Sequence, residues 1–521
     1  MLPLLVACAA GEGESAADVR ARPHAVELAQ RPDTQGSAEQ FTYDTGDLVE
    51  SYAPDGGRFR VHYTRTGRHA VTPVPADGGV PPYVVNVADL YERVADFYAN
   101  DLGFRRPLED SAVTDGNGGD GRFDVYLLDF AFSADGAFKL DACTTANPDI
   151  CIGYMVQEND FAGYGYPSVN YANRVLSSHE FFHAVQAAYD EGQGSVLSEA
   201  TAVWATEKFD SSLMDFEGFL DGFLLNPDHS LDQPLPGPVD PFSYGAALFF
   251  QFLDEKYGPS VIRELWESVE NGHGGVADPQ WLDQMDGVLA PHSATFAEAF
   301  AEFAAWNLQT GRFDDPLHAY AHGGAYPEVA LTEVAPPHEN PAIRVFYASA
   351  RYYSVAPDGR PQMTVAVVNT PLYPDATQGL RLVLTTRTVN NQALVSIVDP
   401  AVDAIPVVDT ATIGALVVGV VNTATSGSSR RPGLCIGSPD EVDACRMRLS
   451  GQTPDAGSGE PDAGTPPDAG SSGSGGDSGG DDDGGGGGPF GCSAGDAPRG
   501  TPWPAVCALL LLASRRRTRA R

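Results

Sequence analysis

The chain has 521 residues, 42% of them apolar, enough for two or three domains with sizeable cores. Its 70 acidic against 32 basic side chains give a net charge of −38, which argues against nucleic acid or an anionic lipid surface as a partner. Cys143 and Cys151 are close in sequence, as are Cys435 and Cys445, and each pair is expected to close a small loop in an oxidising compartment.

In chain order, Leu5-Val6-Ala7-Cys8 resembles the end of a bacterial lipoprotein signal, which implies lipid attachment at Cys8. Residues 9–57 are polar and weakly patterned, and read as a loosely ordered leader. Phe59 to Tyr63 alternates like a strand. Val84 to Leu102 has helical spacing through Val87, Leu90, Tyr91, Val94, Phe97 and Tyr98, and stops at Gly103. Next, a glycine-rich turn offers Asp115, Asn117 and Asp120 as oxygen donors. It reads as a solvated turn, with a calcium loop as the alternative, because it lacks the full spacing and the terminal Glu of an EF-hand. Phe123 to Leu128 and Ile152 to Val156 are strands.

A helix is expected from about Tyr171–Arg174 to Tyr189, and it carries His179-Glu180-Phe181-Phe182-His183. Positions i and i+4 share a helix face, so both imidazoles reach one ion. Neutral nitrogen ligands with an open position suit zinc, and Glu180 is placed to act as general base on a water. Residues 184–189, Ala-Val-Gln-Ala-Ala-Tyr, lack the third histidine of the metzincin pattern. A glutamate from the next helix, expected over Leu197 to Phe209, is the other common solution. Glu199 is preferred because it lies just past the loop, and Glu207, two turns on, is the alternative ligand or a partner for one histidine.

Residues 215–238 read as a loop. Tyr244 to Tyr257, Val261 to Val269 and Ala294 to Leu308 read as helices, the last with a thick apolar stripe that belongs to a core. Tyr244 is either an oxyanion donor at a helix start or an ordinary packing tyrosine. Beyond about residue 325, short strands (Ile343–Val355, Gln362–Val368, Leu380–Thr386, Leu394–Val398 and Leu416–Val421) suggest a β-sandwich. Three Pro-Asp-Ala-Gly copies open an acidic spacer over 453–490.

The His179-Glu180-x-x-His183 motif with Ser198-Glu199-Ala200-Thr201-Ala202 resembles the gluzincin metallopeptidases. Further likenesses are His62-Tyr63, the strand Gly121-Arg122-Phe123-Asp124-Val125-Tyr126-Leu127 and the helix between Tyr244-Gly245 and Tyr257-Gly258. With these, residues 58–320 are similar to metalloproteases of myxobacteria. Residues 491–521, with Gly491-Cys492-Ser493, an apolar run and a basic end, resemble the myxobacterial C-terminal sorting tag, which implies surface sorting. The expected architecture is α+β: a zincin-like domain over 58–325, with a mixed sheet, an active-site helix and a helical second lobe, then a β-sandwich-like domain over 326–452. The expected function is that of an exported zinc metallopeptidase acting on peptide or protein substrates, with attachment to a membrane through Cys8 or the C-terminal tag. The alternatives are a surface binding protein that keeps the frame without turnover, and a zinc hydrolase of a non-peptide substrate.

Overall fold

A mixed five-stranded sheet holds the first half together. The computed structural model of the chain describes residues 30–452 apart from 35, 36, 38, 111–117, 145, 146, 237–239, 271–277, 389–392 and 428. Cys8, Asp115, Asn117, the spacer and the tag-like end with Cys492 lie outside the described residues.

The sheet is built from β1 (Glu50–Tyr52), β2 (Phe59–Tyr63), β3 (Phe123–Leu128), β4 (Gly136–Cys143) and β5 (Cys151–Glu158), in the order β1-β2-β3-β5-β4. The inner strands β2, β3 and β5 are parallel; β1 and β4 run antiparallel at the two edges. Parallel strands are buried on both faces, and every residue of β3 and β5 is buried. Side chains alternate. Val125, Leu127 and Met155 face a core shared with the helices, while Tyr126, Leu128, Tyr154 and Val156 face Tyr43, Phe41 and Val49.

From the stretch read from sequence as a loose leader, Phe41, Tyr43 and Val49 thus cover the sheet's outer face, and Glu50–Tyr52 joins the sheet as β1. Arg31 anchors the stretch. Its guanidinium is buried against Asp110 and Asp141 at 2.7 and 2.6 Å and against Asp124 of β3, which also holds His62 Nε2 at 2.6 Å.

On the other face lie α1 (Pro82–Asp96), continued by a π-turn over Phe97–Asp101, and α2 (Val169–Ala187). Proline opens α1 where its missing N–H costs nothing. The buried residues Val84, Val87, Ala88, Tyr91 and Val94 recur at helical spacing. Helix α2 starts at Ser168, whose side chain accepts the Tyr171 N–H. It is buried nearly all round, including polar Asn173, Ser177, Ser178, His179, Glu180 and Gln186. Several of these polar groups join a network: Asn173 bonds Gln157 of β5 and Asn86 of α1, and Tyr98 donates to the Ser178 carbonyl.

The helical lobe follows with α3 (Ser195–Phe209), α4 (Asp215–Leu224), α5 (Pro241–Gly245), α6 (Ala247–Tyr257), α7 (Ser260–Val269), α8 (Trp281–Leu289) and α9 (Phe296–Trp306). The stretch 215–238, expected to be a loop, begins with α4. Phe216, Leu220, Phe223 and Leu224 form its buried stripe, and Asp215 and Glu217 sit favourably in its first turn. The helix expected over Tyr244 to Tyr257 is split at Ala246 into α5 and α6.

The C-terminal part has β6 (Thr332–Val334), β7 (His338–Asn340), β8 (Ser349–Val355), β9 (Gln362–Val368), β10 (Leu380–Thr388), β11 (Ala393–Val398), β12 (Val408–Asp409), β13 (Ile413–Asn422), β14 (Gly433–Gly437) and α10 (Pro439–Ser450). They form two sheets, β11-β10-β13-β8-β6 and β12-β9-β14-β7. Leu380, Leu382, Leu384, Leu416, Val418 and Val420 meet Val365, Val367, Leu434 and Ile436 in a sandwich core. The intervening Val383, Val417 and Val421 join the core of the helical lobe, where α9 lies against β10, β11 and β13. The first sheet of the sandwich is therefore covered on both faces. Disulfides close Cys143–Cys151 and Cys435–Cys445. Among the described residues, no helix is long and apolar enough to cross a membrane.

Candidate metal centre

Helix α2 presents His179 and His183 one turn apart, with ring centroids 5.1 Å apart. Helix α3 folds back after the loop at 188–194 and brings Glu199 to them. Glu199 Oε2 lies 3.2 Å from His179 Nε2 and 3.6 Å from His183 Nε2. Two atoms bound at about 2.0–2.1 Å to one tetrahedral ion stand roughly 3.4 Å apart, and the two spacings bracket that value. The donor set, two imidazoles and a carboxylate, is chemically that of zinc. A cation-sized group of side-chain donors is also made by His179, Glu180 and His183, within 4.8 Å of one another. Glu180 and Glu199 therefore approach the same imidazoles, and Glu199 has the measured ligand-like distances.

The electrostatics agree with a site prepared for a cation. Burial alone would lower the His183 imidazole, yet Glu199 beside it pushes it up to about 10. The Glu199 carboxyl is opposed by burial but driven well below the usual carboxylate range by His183 and His179. His179 is buried, whereas the His183 and Glu199 side chains are 12% and 18% exposed, so the centre is reached from one side.

The surroundings fix one imidazole firmly. His183 Nδ1 lies 2.8 Å from Gln186 Oε1, one turn along the same face. The Gln186 amide nitrogen in turn donates to the Ser198 carbonyl and to Thr201 Oγ1, and the Ser198 hydroxyl also reaches Gln186 Oε1. Orienting partners of this kind hold a ligand's tautomer and direction. Gln186 and Ser198 were not singled out in the sequence, although the i+3 spacing from His183 and the adjacency to Glu199 were readable.

Glu180 is buried, and its Oε2 accepts the backbone N–H of Phe138 in β4 at 3.2 Å. Gly136 allows β4 this close to α2: a Cβ there would stand 2.6 Å from a Leu176 methyl. Asp135, just before β4, accepts from the Tyr166 hydroxyl at 2.6 Å, and burial pushes its carboxyl up to about 7 with Glu180 adding to the effect.

Tyr244 is buried in α5, and its ring stacks on His179 at 5.7 Å with 9° between the planes. Glu207 is not brought to the imidazoles. It sits among acids, and burial, then Glu217, push its carboxyl up to about 7. Of the calcium candidates, Asp120 is described, and its carboxylate is engaged by Arg60 and Arg122. A second group of donors, Asp44, Asp47 and His69, is already served by protein cations and amides. Arg68 pairs with Asp44 at 3.2 Å and donates to His69 Nε2, and His69 Nδ1 accepts the Asp129 N–H.

No protein-family model matches the chain, and no curated protein matches it. Among solved structures, the crystal structure of Legionella pneumophila aminopeptidase A in complex with aspartic acid is similar over 75% of this chain, with 10% identity and a TM-score of 0.31. The chain spans 37% of that protein's length. A likeness this distant bears on neither family nor activity, and the reading that follows rests on the site.

Proposed function

We propose that the protein is an exported zinc metallopeptidase of the gluzincin type. The observation that carries the reading is the approach of Glu199 Oε2 to within 3.2 and 3.6 Å of the two imidazole Nε2 atoms, with Glu180 beside them. His179, His183 and Glu199 hold the metal. Zinc bound there supplies a Lewis acid that polarises a carbonyl and acidifies a water. Glu180 takes the proton of the attacking water and delivers it to the leaving amine. Strand β4 ends the sheet order and runs past Glu180. An extended peptide adds to such an edge through its main chain, which favours a peptide over a non-peptide substrate. The hydroxyl of Tyr244, whose ring lies on His179, is the candidate donor to the oxyanion. Export fits the two disulfides, and surface sorting goes with the tag-like residues 491–521 and with Cys8.

The test is metal analysis together with cleavage of a broad peptide library by wild type and Glu180→Gln. Both proteins should hold one zinc, and the variant should lose turnover by about 10²–10⁴-fold. Wild type without stoichiometric zinc, or with zinc but no cleavage of any peptide, would sink the proposal.

A further inference from the structure

We infer that Asp215 is the positioning carboxylate for His179: once a metal is held on Nε2, it accepts the Nδ1–H of that imidazole and so sets the ring's direction. This inference rests on the metal reading of the site given above.

It starts from an asymmetry between the two imidazoles. His183 Nδ1 is held by Gln186. His179 Nδ1 is buried and has no hydrogen-bond partner among the described residues. A buried ring N–H left unpaired is costly, and imidazoles that bind metal commonly donate their second N–H to an oxygen. Asp215 has the complementary defect. It is 1% exposed, and neither carboxylate oxygen has a hydrogen-bond partner among the described residues. A buried, unpaired carboxylate is costlier still.

Three ties place the two defects together. The Tyr171 hydroxyl, in the first turn of α2, donates to the Leu213 carbonyl, and Arg174 of α2 pairs with Asp210. The helix that carries His179 thus grips the chain immediately before Asp215. Met214, between these ties and Asp215, is an exposed residue in the left-handed region at φ 51°. That conformation is strained for a methionine, and it turns the chain inward at the next residue. Finally, Phe219 stands one turn beyond Asp215 on the same face of α4. It packs on Tyr244 at 5.0 Å, and Tyr244 stacks on His179 at 5.7 Å. The face of α4 that bears Asp215 is therefore the face turned to His179.

The experiment measures zinc affinity by chelator competition in wild type, Asp215→Ala, Asp215→Asn and Glu207→Gln, with imidazole N–H signals of the zinc-loaded proteins read by nitrogen-resolved NMR. Asp215→Ala should bind zinc about 10–100-fold more weakly. It should also lose the slowly exchanging Nδ1–H signal of His179 while that of His183 stays. Asp215→Asn, which keeps an accepting oxygen as Gln186 does for His183, should recover most of the affinity and the signal even where the alanine variant folds poorly. Glu207→Gln should bind zinc as wild type does. Zinc binding by Asp215→Ala equal to wild type, or a loss confined to Glu207→Gln, overturns the inference and leaves the metal site standing. A wild type that binds no zinc overturns the metal reading itself.

Discussion

Replacing Glu199 by glutamine keeps the shape of the centre and removes its charge. In the metal-free protein the carboxylate lies 3.6 Å from His183 Nε2. Two unit charges at that distance attract by about 5 kcal/mol at an effective dielectric of 20. The rise of the His183 imidazole from 6.5 to about 10 is the net result of burial, which opposes it, and of Glu199, which raises it most, with Glu180 and Gln186 adding to the rise. With Glu199→Gln, burial is opposed only by Glu180 and Gln186, and His183 should titrate well below about 10. The assay is an NMR titration of the imidazole ring protons in metal-free wild type and variant.

The signs for stability follow. His183 is raised on folding, so its contribution is complete below 6.5 and is lost as pH climbs to about 10. Glu199 is lowered, so its contribution is complete above 4.5 and is lost as pH falls. Metal-free wild type should thus draw most from this pair between about pH 4.5 and 6.5, and Glu199→Gln should flatten that maximum. Wild-type His183 titrating near 6.5, or a variant still titrating near 10, would refute the pairing.

Two further outcomes are expected. Gln186→Ala leaves His183 Nδ1 with the Ser198 hydroxyl alone, at 3.2 Å, and should weaken zinc binding by about 10–100-fold in chelator competition, with the fold retained by circular dichroism. Arg31→Met leaves Asp110, Asp124 and Asp141 buried without their common cation; breaking a buried pair in this way should cost about 3–5 kcal/mol in urea unfolding, and a loss under 1 kcal/mol would mean the cluster is screened by solvent.

The histidine pair was legible because helical periodicity alone puts residues 179 and 183 on one face. Glu199 is legible through the short loop before it, and the i+3 spacing from His183 carries the signal for Gln186. Asp215 was not legible. Its meeting with α2 depends on a left-handed Met214 and on hydrogen bonds from residues more than thirty positions away. The surrounding helix was also hidden, because Gly218 and Gly222 weaken its helical signal. Packing explains the second of these: a Cβ at Gly222 would stand 2.0 Å from the Pro241 carbonyl, so α4 needs glycine to let α5 approach. The leader was misleading in the same way. Residues 30–57 lack periodicity because a few anchors, Arg31 and Tyr43 above all, fasten them instead of a repeating apolar stripe. The sandwich strands, by contrast, were readable from β-branched runs between turns.

The strand pair β10 and β13, inward to the sandwich on one side and inward to the helices on the other, bears on how the molecule can be divided. A cut near residue 326 would strip Val383, Val417 and Val421 from the helical core, and with them the bond from the Tyr352 hydroxyl to the Ala304 carbonyl and that from Arg387 to the Leu308 carbonyl. The half bearing the metal centre would be left with an open apolar wound along α9, inviting aggregation. The smallest fragment worth isolating therefore runs from the Arg31 anchor to the end of α10, and inactivity of anything shorter would say nothing about the chemistry at His179.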